Sequence, residues 1–181
     1  MHPKRFSRQR ALFSLLAALV FVALAFAGTA WADAAGTPQA DAVVTVGGDV
    51  AHPLRLDEKA LAALPQRSVT ASAHGVTGTW TGVPLADILR AAGAPLGEEL
   101  RGRNMLLYVR IGAADGYHVV YSLAELDPAF RDDDVILADR RDGRPLDAHT
   151  GPFRVIAPHE KRPARWIRQV TSIDVLRAPV H

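Results

Sequence analysis

Thr79-Trp80-Thr81-Gly82-Val83-Pro84-Leu85-Ala86-Asp87-Ile88-Leu89 is the stretch on which the reading of this chain turns. A β-rich run closes as a strand at Trp80, and Gly82 supplies a turn. Pro84, whose fixed φ suits a first helical turn, then opens a helix over 84–92. Gly93 stands just past the end of that helix, and Leu85, Ile88 and Leu89 share one apolar face. Strand, reversal and amphipathic helix follow one another without a linker.

The same texture extends in both directions. Upstream, residues 43–46 form a β-branched strand ended by Gly47-Gly48. A short helix over 58–64 follows, with Asp57 as N-cap and Pro65 as stop. Residues 67–73 alternate as a strand, and 77–80 pair with them across Gly75. Downstream, a strand over 105–111 turns at Ala114-Asp115-Gly116 and returns over 117–121. Ser122 and Glu125 have the spacing of a capping box for a short helix that stops at Pro128. Strands over 135–138, 153–157 and 170–176 complete the set, with Asp142-Gly143 marking a hairpin. About eight short strands joined mostly by turns, with three short helices inserted singly, predict one mixed α+β domain, not a doubly wound sheet.

Ahead of this domain, Lys4, Arg5, Arg8 and Arg10 precede an apolar run over 11–27, and Ala30-Trp31-Ala32 is a small-x-small cleavage site. That order is a secretory signal peptide over 1–32, followed by a small, Ala-rich disordered tether over 33–42 and the folded domain over 43–181. An uncleaved anchor is the alternative, although the run is shorter than the ~20 residues of a membrane span. The expected location is periplasmic or secreted. Cleavage removes four of the 21 basic residues and none of the 19 acidic ones, leaving 17 against 19, a formal −2. The pI of 9.3 is therefore largely a property of the leader. With near-neutral charge and interspersed signs, the footprint of a nucleic-acid binder is missing. No Gly-rich phosphate loop or nucleophile elbow appears either.

The motif W-x-G-V-P-L-x-D-I-L, from Trp80 to Leu89, resembles the signature of the sulfite-oxidase-type molybdopterin-binding oxidoreductase family. Further blocks fall in that family's order: Leu61-x-x-Leu64-Pro65, Asp115-Gly116-Tyr117, Asp142-Gly143-Arg144-Pro145-Leu146, Gly151-Pro152-Phe153-Arg154-Val155, and Ala164-Arg165-Trp166-Ile167. The resemblance covers nearly all of the chain after the leader and implies that family's α+β fold. It also implies a molybdenum held by a pyranopterin dithiolene and by one cysteine a short way upstream of the tryptophan. This chain has no cysteine. The slot falls near Ser72, with Ala71, Ala73 and His74 beside it, and none of these supplies the soft thiolate that such a metal takes. The leader points the same way. It has no consecutive arginine pair, so it reads as a Sec-type signal for export of an unfolded chain, which cannot carry a preloaded cofactor.

What remains as a candidate site is the segment 158–168, where His159, Lys161, Arg162, Arg165 and Arg168 stand around Trp166. Arginine supplies bidentate donors and lysine a point charge, so this segment suits a phosphate, sulfate or carboxylate. The resemblance puts the family's contacts to the cofactor phosphate here, on Lys161, Arg162 and Arg165. The bland alternative is a solvated loop paired with Asp139, Asp142 or Glu160, and a core place for Trp166. His74 and His118, if both faced a cleft beside Asp115, would add a small titrating pocket. The histidines include no H-x-H or H-x-x-x-H pair, and 132–134 is a bare acidic run, so no dedicated metal site is expected.

Three functions fit. The favoured one is an exported, cofactor-free relative of the molybdopterin domain that binds a small anionic ligand or a protein partner. The second is a molybdopterin-dependent oxidoreductase with a non-cysteine metal site, in which Ser72 ligates through oxygen. The third is an accessory or signalling partner of a periplasmic or membrane redox or sensor system.

Overall fold

The computed structural model describes residues 42–180 except 133. The leader and nearly all of the tether lie outside the described residues. The described part is an α+β domain of two five-stranded sheets. In the first, the order is β2 (Leu54–Leu56), β1 (Val44–Gly48), β10 (Val170–Arg177), β5 (Leu107–Ala113) and β6 (His118–Ser122). Only β1 and β10 run parallel. The second sheet runs β3 (Arg67–Ala73), β4 (Val76–Pro84), β7 (Ile136–Arg141) and β8 (Arg144–Pro145), with β9 (Arg154–Ile156) also on β7.

Two α-helices are inserted, α1 (Glu58–Ala62) and α2 (Leu85–Ala91). Asp57 caps α1 by accepting from the Ala60 amide at 2.7 Å. Helix α2 ends as its sequence announces. Gly93 takes φ +73°, and the Gly93 and Ala94 amides return to the Arg90 and Leu89 carbonyls at 3.0 and 2.9 Å. Leu85, Ile88 and Leu89 are fully buried in the main core, which also takes side chains from β1, β5 and β10. A second, smaller core gathers Trp80, Trp166, Ala71, Ile136, Ala138, Ile156 and Ala157.

Several boundaries differ from the sequence reading. The described residues form ten strands, not eight, because the short β2 and β8 lack a periodic pattern of their own. The helix after Ser122 keeps its capping box but is a 3-10 turn, Leu123–Leu126, since four residues before Asp127 and Pro128 cannot complete an α-turn ladder. Met105 belongs to another 3-10 turn, Gly102–Leu106, ahead of β5.

The largest correction concerns Gly82. It is not a turn. Strand β4 continues through it to Pro84, which is the residue before the helix and not its first. Gly82 is required because β4 and β7 nearly touch there: a Cβ would stand 2.1 Å from the Leu137 carbonyl oxygen. The register slips at this point, Thr81 facing Arg140 and Gly82 facing Ala138, so Asp139 is the extra residue of a bulge. Gly82→Ala should lower the unfolding free energy by about 2–3 kcal/mol through backbone overpacking. Urea denaturation measures it, and a loss below about 0.5 kcal/mol, the size of an ordinary surface change, would contradict so close an approach.

Candidate functional site

The basic segment divides sharply once its contacts are known. Arg165 lies at the end of the 3-10 turn Pro163–Arg165 and is built into the fold. Its Nε donates to Glu160 Oε1 at 2.7 Å, and Nη2 completes that ion pair. Its Nη1 donates to the Val120 carbonyl at 3.0 Å, and both Nη atoms reach Glu125 Oε1 at 3.2 Å. The guanidinium also lies 4.0 Å over the Tyr121 ring, whose hydroxyl donates to the Arg165 carbonyl at 3.2 Å. Burial and the Glu160 charge push the Tyr121 phenol above its ordinary range. Every nitrogen of Arg165 is thus engaged by protein, and its role is to pin the loop onto β6.

Of the other cations of the segment only His159 lies beside it. Lys161 and Arg162 are exposed, while His159 lines a crevice of about 60 Å³ together with Arg165, Tyr121, Glu125 and Glu160. Arg168 points into a larger cleft and meets His149 Nε2 at 2.5 Å. Trp166 is buried, and its Nε1 donates to the Ala157 carbonyl at 2.9 Å.

Ser72, in the expected ligand slot, is exposed on the edge strand β3, with its hydroxyl 2.6 Å from that of Thr77. His74 takes φ +52° beside Gly75 in the two-residue hairpin turn and lines the larger cleft with Asp115. His118 does not join them. Tyr117 borders the cleft, whereas His118 is not among its lining residues and its ring lies beside Gly112. The His118 Nδ1 bonds the Gly116 carbonyl at 2.7 Å instead. The paired-histidine pocket is therefore not formed.

The larger cleft contains what the sequence reading missed. Two hollows of about 480 Å³ each share Thr150 and Arg154 in their walls. One is bordered by His74, Tyr117, Trp166 and Arg168, the other by Trp80, Arg141, Arg144 and Asp147. Trp80 and Trp166 meet edge to face with centroids 6.4 Å apart. Two guanidiniums lie over the Trp80 ring, Arg141 at 5.0 Å and Arg154 at 5.2 Å. Their Nε atoms are both buried without a hydrogen-bond partner. Burial, then the charges of Arg168 and Arg141, push the Arg154 guanidinium below its ordinary range, with Asp147 offsetting a part.

The neighbouring carboxylates are committed elsewhere. Asp147 accepts from the Thr150 and His149 amides at 2.9 Å; burial opposes its charge, but these bonds hold its carboxyl below the usual range. Asp142 accepts from the Thr79 amide at 2.8 Å and stands 3.4 Å from Arg141 Nε, too poorly aligned to bond it. Asp142 thus makes only a loose ion pair with Arg141, Asp147 offsets a part of the Arg154 charge, and neither Nε is hydrogen-bonded. In the sequence, Arg141 and Arg154 read only as hairpin and strand residues. Trp80 and Arg141 become direct cross-strand partners through a pairing sixty-one positions apart, which no local pattern displays.

The clamp on Arg165 has a pH signature. Burial opposes the Glu125 charge, but the Ser122 backbone bond and Arg165 outweigh it and lower its pKa. A lowered folded pKa contributes stability that is full above the ordinary range, about 4.3, and is lost as pH falls through the folded value. Thermal unfolding should therefore show wild type above Glu125→Gln at neutral pH, with the gap closing below about pH 4. Arg165→Met should cost about 1–2 kcal/mol at neutral pH, discounted for partial exposure. An unchanged melting temperature in both variants would contradict the clamp.

A family model described as the oxidoreductase molybdopterin-binding domain matches residues 31–181. A search of curated proteins returns no match. Among solved structures, the chain is similar to the sulfane dehydrogenase SoxCD from Paracoccus pantotrophus, with a TM-score of 0.61 and 18% identity. The similarity covers 78% of this chain and 39% of that one, so the chain spans only about two-fifths of that chain's length and the likeness is one of fold. The family match extends over the whole described domain: the chain belongs to the oxidoreductase molybdopterin-binding domain family.

Proposed function

We propose that this protein is an exported member of the family that holds an anionic ligand in the Trp80 cleft and works without thiolate-bound molybdenum. The observation that carries this reading is Arg154. A half-buried guanidinium with an unpartnered Nε, crowded by Arg141 and Arg168, is stabilised only when an anion joins it. Water-exposed lysines would carry no such implication. Here the fold has drawn like charges together in a hollow, with Asp147 held by backbone amides and Asp142 paired only loosely with Arg141.

The family's metal finds no matching donor set. The chain offers no sulfur, and the Ser72 hydroxyl lies exposed on an edge strand, shared with Thr77. Among the described residues no group of three histidine, aspartate or glutamate side chains is placed to hold a metal ion. Soft thiolate coordination is what distinguishes the family's site, and oxygen from a single exposed serine is a poor replacement. The leader read from the sequence, suited to unfolded export, supports the same view.

Native mass spectrometry with elemental analysis on protein purified from the exported fraction tests this. The expected result is a bound anionic mass, absent from Arg154→Gln and retained in Ser72→Ala, with no stoichiometric molybdenum. One molybdenum per chain would overturn the proposal, as would wild type and Arg154→Gln each found at the mass of its own bare chain.

A further inference from the structure

We infer that the outer edge of β3 is an interface between two copies of this chain, which join β3 to β3, antiparallel about Thr70, into one continuous sheet. The hydrogen bonds of β4 show which backbone groups of β3 are unspent. The Thr79 amide donates to Asp142 Oδ1 at 2.8 Å and its carbonyl accepts from the Asp142 amide at 2.7 Å, so both point to the β7 side. Thr79 is paired with Thr70, and in an antiparallel ladder the two residues of such a pair turn their backbone groups away from each other. Thr70 therefore directs its N–H and C=O to the open edge, and so, two residues to either side, do Ser68 and Ser72. The side chains agree. Pairs of this kind stand closest, and the Ser68 and Thr81 hydroxyls meet at 2.9 Å, those of Ser72 and Thr77 at 2.6 Å. Among the described residues no hydrogen bond reaches the outward groups of these three exposed residues.

The other outer strands are protected, and β3 is not. Strands β2 and β9 have three residues each, and β8 has two, one of them Pro145. On β6 the Val120 carbonyl is taken by Arg165 Nη1. Strand β3 runs for seven residues without proline, lysine or a bulge, and its one charge, Arg67, stands at its start and turns to Asp134 at 2.9 Å. Such a strand is complementary to itself. A two-fold axis at Thr70 sets this residue against its own copy and Ser68 against the partner's Ser72, and each such pair exchanges two N–H···O=C bonds, which uses every outward group. Val69 then faces the partner's Ala71 on the side of the Trp80 core, and Arg67 faces the partner's Ala73, so no like charges oppose. This match in face, charge and hydrogen bonds selects a second copy as the occupant.

Sedimentation equilibrium on the chain purified from the exported fraction should show monomer and dimer in exchange between about 1 μM and about 1 mM. Thr70→Pro removes an N–H that β4 does not use, so the hairpin is kept while the dimer should weaken about tenfold or more. Thr70→Lys should do the same by setting two ammonium groups opposite one another. Because the chain has no cysteine, an introduced thiol is the only one present. Residues that exchange both hydrogen bonds across a ladder have Cα atoms about 5.5 Å apart, within disulfide reach. Thr70→Cys should therefore cross-link with itself on mild oxidation, and Ser68→Cys should link to Ser72→Cys in preference to itself. Val120→Cys, equally exposed but on the edge of the other sheet, should not cross-link. Circular dichroism and melting temperature verify that each variant folds.

A monomer at every concentration overturns the interface, whether the edge stays open or an extended segment of this or another chain covers it. A dimer that folded Thr70→Lys leaves at wild-type strength overturns it too, as does cross-linking of Val120→Cys as fast as Thr70→Cys. Ser68→Cys linking to itself in preference to Ser72→Cys overturns the pairing about Thr70. None of these readouts depends on an anion in the cleft, so their outcome is separate from that of the mass-spectrometric experiment.

Discussion

The close approach of β4 and β7 at Gly82 is the contact on which the rest of the structure depends. With no side chain at 82, the two backbones meet at a distance a Cβ would forbid, and the bulge at Asp139 sets the register on either side. On one side, Pro84 faces Ile136 and the Leu85 amide bonds the Val135 carbonyl at 2.8 Å, which aims α2 into the main core. On the other side, Trp80 comes opposite Arg141 and carries the floor of the cleft. Core and candidate site are thus fixed by one strand.

The arginines of this domain illustrate two ways of removing a guanidinium from water. Arg165 is surrounded by two carboxylates, a carbonyl and an aromatic ring, so its desolvation is compensated within the protein. Arg154 has the aromatic ring without a carboxylate partner, and Arg141 has the ring with one loose ion pair to Asp142. Both kinds sit in basic stretches that look alike as text. Their chemical meaning differs: the first arrangement is compensated by two carboxylates, the second leaves buried donors without a hydrogen-bond partner.

Family membership and chemistry separate here for a physical reason. The features that define the fold, namely the Gly82 approach, the helix start after Pro84, the Leu85-Ile88-Leu89 face and the Trp80–Trp166 contact, serve packing and remain necessary with no metal bound. A thiolate ligand serves only the metal. Its loss leaves the scaffold intact, and the cleft beside it stays available to other ligands.

Much of this architecture was legible in the chain itself. Strand alternation, the Asp57 and Ser122 caps, the Gly93 stop and the apolar face of α2 are local signals, because each depends on residues within one or two turns. The absence of cysteine, too, is a property of the sequence alone. The partners of each arginine were not legible. Arg165 meets Glu125 forty positions away, and Arg141 meets Trp80 sixty-one positions away, through pairings that side-chain type does not encode. Even Gly82 carries a different meaning in three dimensions, since a glycine that permits a turn and a glycine that permits a close crossing are the same letter. The sequence determined which elements form and which donor is missing; only the tertiary structure decided which charges are compensated within the protein and which are not, because compensation is a matter of distance across the fold.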